Sequence, residues 1–152
     1  LPRLFIHVGT GHPPATAIQN FGRQIGRIIT GQQEPLMSVG RLDTARDFID
    51  VRDGVEAMLK IIESDKFGEP INVCNQQSHQ IGDILQMMIN SSDIDVNLKE
   101  DSSLLRHSDE KLLMGDNSKL KSLGWKRKFS MEQTLQDVVK DWVKRCEKPY
   151  SD

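Results

Sequence analysis

Short apolar runs of strand length alternate along this chain with longer segments in which apolar residues recur at helical spacing. This alternation constrains the fold most, because strands that alternate with amphipathic helices form an α/β or α+β layered fold. The spacing predicts strands near residues 4–8, 36–39, 71–74 and 94–98, and helices over 18–29, 51–62, 81–88, 117–123 and 131–142.

Capping residues mark several of these boundaries. Asp50 can cap the helix that carries Val51 and Val55, and Ser130 with Gln133 forms a capping box before the last helix. Asp116 or Asn117 can cap the short helix before it. Gly31, Gly68 and Gly124 each follow a periodic segment, as helix-ending glycines do.

Composition excludes several classes of protein. The 152 residues include 20 basic and 22 acidic side chains, so the net charge of −2 does not suit a nucleic-acid-binding module. No apolar run approaches the ~18 residues that cross a membrane. Cys74 and Cys146 form neither a disulfide framework nor a C-x-x-C motif. We therefore expect a cytoplasmic protein with neither a membrane nor a nucleic acid as partner.

The first residues predict that the chain is part of a larger protein. Leu1 stands where a complete chain has Met, and the apolar stretch of the first strand follows at once. We expect apolar faces, such as those of strand 4–8 and of the helix with Val51 and Val55, to pack on strands that this chain lacks. The isolated chain is accordingly expected to be poorly soluble.

Neither a complete nucleotide fingerprint nor a metal-binding motif is present. Gly9-Thr10-Gly11 follows a predicted strand, but the third glycine of G-x-G-x-x-G is replaced by Pro14. A turn at the strand end explains the two glycines. The four histidines are scattered and lack zinc-ligand spacing, and Cys74 is predicted to be buried in a strand.

Three polar clusters lie at 40–53, 105–109 and 115–125. Considered singly, each has a structural explanation: a solvated turn with a capped helix, a surface ion pair, and a capped short helix. Taken in order, they join other motifs, which read Arg3-Leu4-Phe5-Ile6-His7, Gly9-x-Gly11-His12-Pro13-Pro14, Arg46-Asp47-Phe48-x-Asp50-Val51-Arg52-Asp53, Asn72-Val73-Cys74, Arg106-x-Ser108-Asp109 and Gly115-Asp116-Asn117-Ser118-Lys119-Leu120.

Together these motifs resemble the C-terminal half of extended short-chain dehydrogenases/reductases, the NAD-dependent epimerase/dehydratase superfamily. The resemblance is strongest to the branch of GDP-mannose 4,6-dehydratase and GDP-4-keto-6-deoxymannose reductase. It implies that residues 1–152 form a single partial α/β domain, with the last Rossmann strands near 4–8 and 71–74 and a small nucleotide-sugar-binding lobe. It also implies a GDP-sugar substrate, NADP or NAD bound mainly by a missing N-terminal half, and a homo-oligomeric parent enzyme.

The resemblance assigns a role to six residues of this chain. By it, His7 and His12 contact the cofactor, Arg46 and Arg106 hold the diphosphate, Asp109 binds ribose hydroxyls, and Asn20 lies where dehydratases have a phosphate-facing lysine. Guanidinium groups match phosphate oxygens, and a carboxylate matches paired hydroxyls. The chain departs from the family pattern at Ile6, where an asparagine is usual, and at His107, where a proline is usual.

The catalytic Tyr-x-x-x-Lys pair of this superfamily is not found. Tyr150 is the only tyrosine, and it stands two residues from the end of the sequence. Hydride transfer in the family needs a phenol whose ionisation a lysine eases, so this chain by itself is expected to be inactive. Two hypotheses remain open: the substrate-binding portion of a GDP-sugar-modifying enzyme, or a non-catalytic sugar-nucleotide-binding remnant or partner-binding module.

Overall fold

A computed structural model describes residues 1–65, 68–105 and 110–147, which fold into eight short strands and five helices. The strands are β1 (Pro2–Leu4), β2 (Ile6–Val8), β3 (Leu36–Val39), β4 (Ala45–Asp50), β5 (Ile71–Val73), β6 (Ser78–Gln80), β7 (Asn97–Glu100) and β8 (Leu112–Leu113). The helices are α1 (Ala17–Ile29), α2 (Val51–Glu63), α3 (Ile81–Ser92), α4 (Ser118–Ser122) and α5 (Met131–Glu147).

The first predicted strand is divided in two at Phe5. β1 pairs in parallel with β5, whereas β2 pairs in parallel with β4. β4 continues into an antiparallel pairing with β6 and a parallel one with β8. Strands and helices therefore alternate as the sequence predicts. Of the strand expected at 4–8, only Leu4 is in register with β5, and the part that forms β2 lies beside β4 instead.

The structure corrects two of the strand predictions. The segment of β4 was interpreted as a solvated turn because its residues are charged, yet β4 is a central strand with Asp47 and Asp50 buried. The strand expected over 94–98 begins only at Asn97, whose amide donates to the Pro35 carbonyl at 2.9 Å. Ile94 precedes that strand and packs against the core instead.

The main core lies between α1, α3 and α5 and includes the five apolar residues predicted on the buried face of α5. α1 approaches α5 closely because Gly22 and Gly26 face Trp142. A Cβ atom added at Gly26 would lie 2.9 Å from the Trp142 carbonyl carbon. A smaller core joins the inner face of α2 to β5, α4 and Trp125.

The helix boundaries confirm the caps predicted at Asp50, Ser130, Gly31 and Gly124, whereas α2 already ends at Glu63, before Gly68, and Asn117 makes no side-chain cap hydrogen bond among the described residues. Asp50 accepts a hydrogen bond from the Arg52 amide, and Ser130 accepts one from the Gln133 amide through its hydroxyl. Gly31 and Gly124 adopt φ angles of +73° and +83°, in the left-handed region that ends many helices. None of the helices in the described ranges is long and apolar enough to span a membrane.

One helix keeps an apolar face in solvent. Asp53, Gly54, Ala57 and Ile61 of α2 are buried, whereas Val51, Val55, Met58, Leu59 and Ile62 are exposed. Val51 and Val55 are exposed among the described residues, and their packing on further strands stays a prediction.

Candidate functional site

A cavity of about 440 Å³ opens between the start of α1, strand β2 and the loop that joins β3 to β4. Its volume lies in the range of small-molecule sites. Three arginines, Arg23, Arg41 and Arg46, line it. No acidic side chain is among the lining residues of the described chain, so the cavity is suited to an anion.

The first turn of α1 forms one wall of the cavity. Thr16 is the N-cap residue, and its side chain makes no cap hydrogen bond among the described residues. The first turn of the helix contains no acidic residue, although such residues are common there. The amide groups at this helix start and the positive end of the helix dipole therefore add to the attraction for an anion.

Asn20 and Arg23 lie one helical turn apart on the same wall. The Arg23 guanidinium donates to Asn20 Oδ1 at 3.1 Å, while its buried Nε has no hydrogen-bond partner in the part of the chain that the structure describes. A buried donor without an acceptor is costly. An anion that accepts from Arg23 would remove this cost.

Arg41, in the loop between β3 and β4, and Arg46, in β4, also line the cavity. Arg46 donates through Nη1 to the Ala45 and Glu110 carbonyls, at 2.8 and 2.7 Å. These two hydrogen bonds hold its guanidinium group in one orientation. Arg41 forms a bidentate ion pair with Asp43, at 3.0 and 2.9 Å. Both guanidinium groups thus line the cavity together with Arg23 of α1.

Apolar side chains form the rest of the wall. Ile6, Val8, Phe21, Phe48 and Ile81 contribute it. Ile6 occupies the position where the resemblance places a substrate-contacting asparagine, and it offers no hydrogen-bonding group. Polar recognition in this cavity therefore falls to the arginines, Asn20 and the helix start.

The two histidines expected to contact a cofactor lie outside the lining of the cavity. His7 is half-buried beneath α2, and its Nδ1 lies 2.9 Å from the Phe5 carbonyl oxygen. A Cβ atom added at Gly54 would lie 2.2 Å from His7 Nε2, so the glycine makes room for the ring. His12 is exposed, and its carbonyl accepts from Arg145 at 2.9 Å.

Two more predicted site residues, Arg106 and Asp109, lie outside the described residues. Among the described residues, Leu104 lines the cavity and the Glu110 carbonyl accepts from Arg46. Of the six candidates, the structure brings together Asn20 and Arg46. Sequence reasoning missed Arg23, although its i, i+3 spacing from Asn20 on an amphipathic helix was a usable signal.

Two buried carboxylates, Asp47 and Asp53, lie outside the lining of the cavity and bind the backbone of later segments. Asp47 accepts from the backbone amides of Asn75, Gln76 and Gly115. Asp53 accepts from the amides of Lys128 and Phe129 at 3.0 and 3.1 Å. These contacts give both carboxylates a structural role.

Burial also changes the pKa values of Asp53 and Cys74. Burial raises the pKa of Asp53 above its ordinary value, and the two amide hydrogen bonds offset only part of that effect. Burial also raises the pKa of Cys74, with the negative charge of Asp47 adding to it, to about 11. Cys74 is fully buried and is therefore not a reactive thiolate.

A second, more open groove of about 680 Å³ lies between the end of α3 and β7. Asp93 and Asp95 line it, and the lining of the described chain contains no lysine or arginine. Its charge opposes an anionic ligand. Across the described ranges, no group of three or more His, Cys, Asp and Glu side chains is placed to hold a metal ion.

Parallel strand pairs connected through helices, with an arginine-lined cavity at a helix start, define an α/β protein with a candidate anion-binding site. The chain belongs to the GDP-mannose 4,6-dehydratase family, whose model matches residues 1–138.

Two curated relatives and one solved structure define the similarity. The chain is 28% identical over 144 residues to GDP-6-deoxy-D-mannose reductase of Pseudomonas aeruginosa, covering 94% of this chain and 47% of the relative. It is 27% identical over 127 residues to GDP-6-deoxy-D-talose 4-dehydrogenase of Aggregatibacter actinomycetemcomitans, covering 81% of this chain and 43% of the relative. The structure of RMD from Pseudomonas aeruginosa complexed with NADPH matches with a TM-score of 0.88 and 28% identity, over 95% of this chain and 48% of that one.

The chain thus spans about half the length of the curated relatives that it matches. The similarity confirms the family resemblance and the partial Rossmann-type fold expected from the sequence.

Proposed function

We propose that this chain is the substrate-binding portion of a cytoplasmic, NADP(H)-dependent enzyme that modifies GDP-sugars, of the 4,6-dehydratase or 4-keto-reductase type. The observation that carries the proposal is the arginine-lined cavity at the start of α1. The family match and the two relatives that act on GDP-sugars support the substrate class.

The cavity fits a diphosphate better than it fits a neutral sugar. The diphosphate of a GDP-sugar carries negative charge on closely spaced oxygens, and planar guanidinium forks bind such oxygens in pairs. Arg23 supplies the buried Nε, Arg46 supplies a fork fixed by two carbonyl acceptors, and the first turn of α1 supplies backbone amides. In this proposal Asn20 orients Arg23, and Arg106 and Asp109 remain predicted contacts.

The described residues fit an edge of a cofactor site, and they form no cradle for the dinucleotide. His7 lies in β2 and is half-buried, whereas His12 follows β2 and is exposed. The turn at Gly9–Gly11 continues into Pro13 and Pro14 instead of directly into a helix. When bound, the nicotinamide supplies or accepts the hydride. In this proposal the chain itself holds and orients the sugar nucleotide, and the two histidines meet the cofactor from one side.

One observation favours a second candidate function, that of a sugar-nucleotide-binding module without catalysis. Ile6 removes a hydrogen-bonding group from the cavity wall, which relaxes the positioning of the sugar while leaving the arginines for the diphosphate. To separate the candidates, the other half of the Pseudomonas aeruginosa reductase is fused before Leu1. An enzyme portion predicts oxidation of NADPH with GDP-4-keto-6-deoxymannose, and a binding module predicts binding without turnover.

Calorimetric titration of the full chain with GDP, with guanosine as the uncharged comparison, tests the cavity itself. Loss of one hydrogen-bonded charge costs about 1.5–3 kcal/mol, so we expect Arg23→Ala and Arg46→Ala each to weaken GDP binding about ten-fold or more. Arg27→Ala is the control, because Arg27 is exposed at the far end of α1. Binding of GDP no tighter than that of guanosine, or equal losses for Arg27→Ala and Arg23→Ala, would contradict the proposal.

A further inference from the structure

The connection between β2 and α1 has little packing of its own. Residues 10–16 of this connection are exposed. At its turn Gly11 adopts a φ of +82°, and a Cβ atom built there would meet no neighbouring atom of the described chain within 4 Å. Yet residues 14–16 line the arginine-lined cavity. The shape of this cavity wall therefore depends on what holds the connection in place.

Two side chains of α5 bind the backbone of this connection. Asp141 Oδ2 accepts from the Gly11 amide at 3.0 Å, and Arg145 Nη1 donates to the His12 carbonyl at 2.9 Å. Asp141 and Arg145 lie one helical turn apart and form an ion pair between Oδ2 and Nη2 at 2.8 Å. Each member of the pair thus contacts its partner on α5 and one backbone group at the start of the chain.

Trp142 links the same helix to the end of β2. The Arg145 guanidinium carbon lies 4.4 Å from the centre of the Trp142 ring. The indole donates to Gln19 Oε1 at 2.8 Å, and Gln19 Nε2 donates to the Gly9 carbonyl at 2.8 Å. Trp142 and Gln19 are both buried. α5 therefore holds the last backbone group before the connection as well as the turn that follows it.

The packing of α1 on α5 has a separate origin. Gly22 and Gly26 bring α1 against Trp142, and apolar residues of both helices share the main core. The side chains of Asp141 and Arg145 are 25% and 31% exposed, and ion pairs that solvent reaches add little to stability. The specific contribution of this pair is to fix the backbone that leads into the cavity wall.

We propose that Asp141 and Arg145 are positioning residues for the anion-binding cavity. They hold the turn at Gly11, and with it residues 14–16 and the first amides of α1, in the arrangement that receives the diphosphate. The inference deepens the proposed function and rests on it for the identity of the ligand, while the contacts rest on geometry. Both residues follow position 138, where the match to the family model ends, so that match assigns them no role.

A charge swap separates positioning from stability. Asp141→Arg combined with Arg145→Asp keeps the net charge and an ion pair one turn apart on α5. It also presents a donor to the Gly11 amide and an acceptor to the His12 carbonyl, so both contacts with the turn are lost. Lys144→Ala is the control, because Lys144 is exposed on the same turn of α5. The variants are made in the full 152-residue chain.

We expect the charge swap to weaken GDP binding about five-fold or more in calorimetric titration, because the cavity wall is no longer held in place. The midpoint of urea unfolding should change by less than about 0.5 M, since the pair contributes little to stability. Lys144→Ala should change neither quantity. GDP binding that the swap leaves unchanged would overturn the proposal. A midpoint lowered by more than about 1 M would also overturn it, because the pair would then act through the stability of the fold.

Hydrogen exchange of the Gly11 amide, followed by NMR, tests the contact without any ligand. Exchange requires the hydrogen bond to Asp141 to open, so the swap should speed it about three-fold or more. Because coupling between two sites is reciprocal, GDP should slow the same exchange in the natural chain. Unchanged exchange in the swap would overturn the proposal. A natural chain that binds no GDP would overturn the proposed function, whereas the exchange rate would still decide whether the pair holds the turn.

Discussion

Gly54 shows how one residue without a side chain positions a functional candidate. It sits in the interior of α2, where glycine is usually unfavourable, yet its missing side chain gives the His7 ring its place between strand and helix. The position of the ring depends on this contact and on the bond between Nδ1 and the Phe5 carbonyl.

Substitution of Gly54 tests this contact. Alanine improves helix propensity by about 1 kcal/mol but crowds the His7 ring, which costs about 1–3 kcal/mol. We expect Gly54→Ala to lower the free energy of urea-induced unfolding by about 1 kcal/mol in the natural chain. With the ring removed by His7→Ala, the same substitution should raise it by about 0.5–1 kcal/mol. A gain in both backgrounds would show that the ring does not need the glycine.

The arginines of the cavity show what the sequence reveals about a site at the scale of single residues. Arg46 was predicted from its motif, and the structure places it on the cavity wall. Arg23 was missed because an arginine on an amphipathic helix has an ordinary place on the solvated face. What distinguishes Arg23 is the burial of its Nε, and burial depends on which elements pack around α1.

At the scale of elements, the helices follow from the sequence far better than the strands do. Apolar periodicity predicts α1, α3 and α5 because each buries its apolar stripe against the core. The periodic apolar residues that predict α2 are exposed instead, and Ala57 and Ile61 lie on its buried face. β4 does not show the apolar pattern of a buried strand, because it carries the buried carboxylates Asp47 and Asp50. Asp47 accepts from the Asn75 amide, and Asp50 accepts from the Thr134 hydroxyl. The order of polar and apolar residues does not predict such distant hydrogen-bond partners, so the segment was interpreted as a solvated turn.

Asp50 joins two of these elements. It caps α2 and accepts from the Thr134 hydroxyl of α5 at 2.6 Å and from the Arg52 guanidinium at 2.7 Å. Burial alone would raise the pKa of Asp50, but the hydrogen bonds from Arg52 and Thr134 outweigh it and hold the pKa below the ordinary value of 3.8. The carboxylate form is therefore the one that the folded chain stabilises.

This depressed pKa predicts how stability depends on pH. The stabilisation by Asp50 is complete above its unfolded pKa of about 4 and is lost as pH falls through the lower folded pKa. We expect Asp50→Asn to cost about 2 kcal/mol at pH 6 and progressively less below pH 4, measured by urea unfolding. Thr134→Val, which removes one of the hydrogen bonds, should show a smaller effect of the same sign. An Asp50→Asn cost that is equal at pH 6 and pH 3 would contradict this account.

At the scale of the whole molecule, β2 lies between the candidate site and α2. The arginine-lined cavity lies between α1 and the β3–β4 loop, and the outer face of α2 exposes Val55, Leu59 and Ile62. Ile6 and Val8 of β2 line the cavity, whereas His7 contacts Gly54 of α2. Because side chains alternate along a strand, the proposed sugar-nucleotide site and the His7 ring lie on opposite faces of β2.

The most direct test of the central claim is where GDP binds on the full chain. Amide chemical shifts of the ¹⁵N-labelled protein, followed by NMR during titration with GDP, report this residue by residue. We predict the largest changes in residues 16–23 and 40–46, with little change from guanosine. Changes confined to the acidic groove at 86–98, or equal changes from GDP and guanosine, would contradict the assignment of the cavity as a diphosphate site.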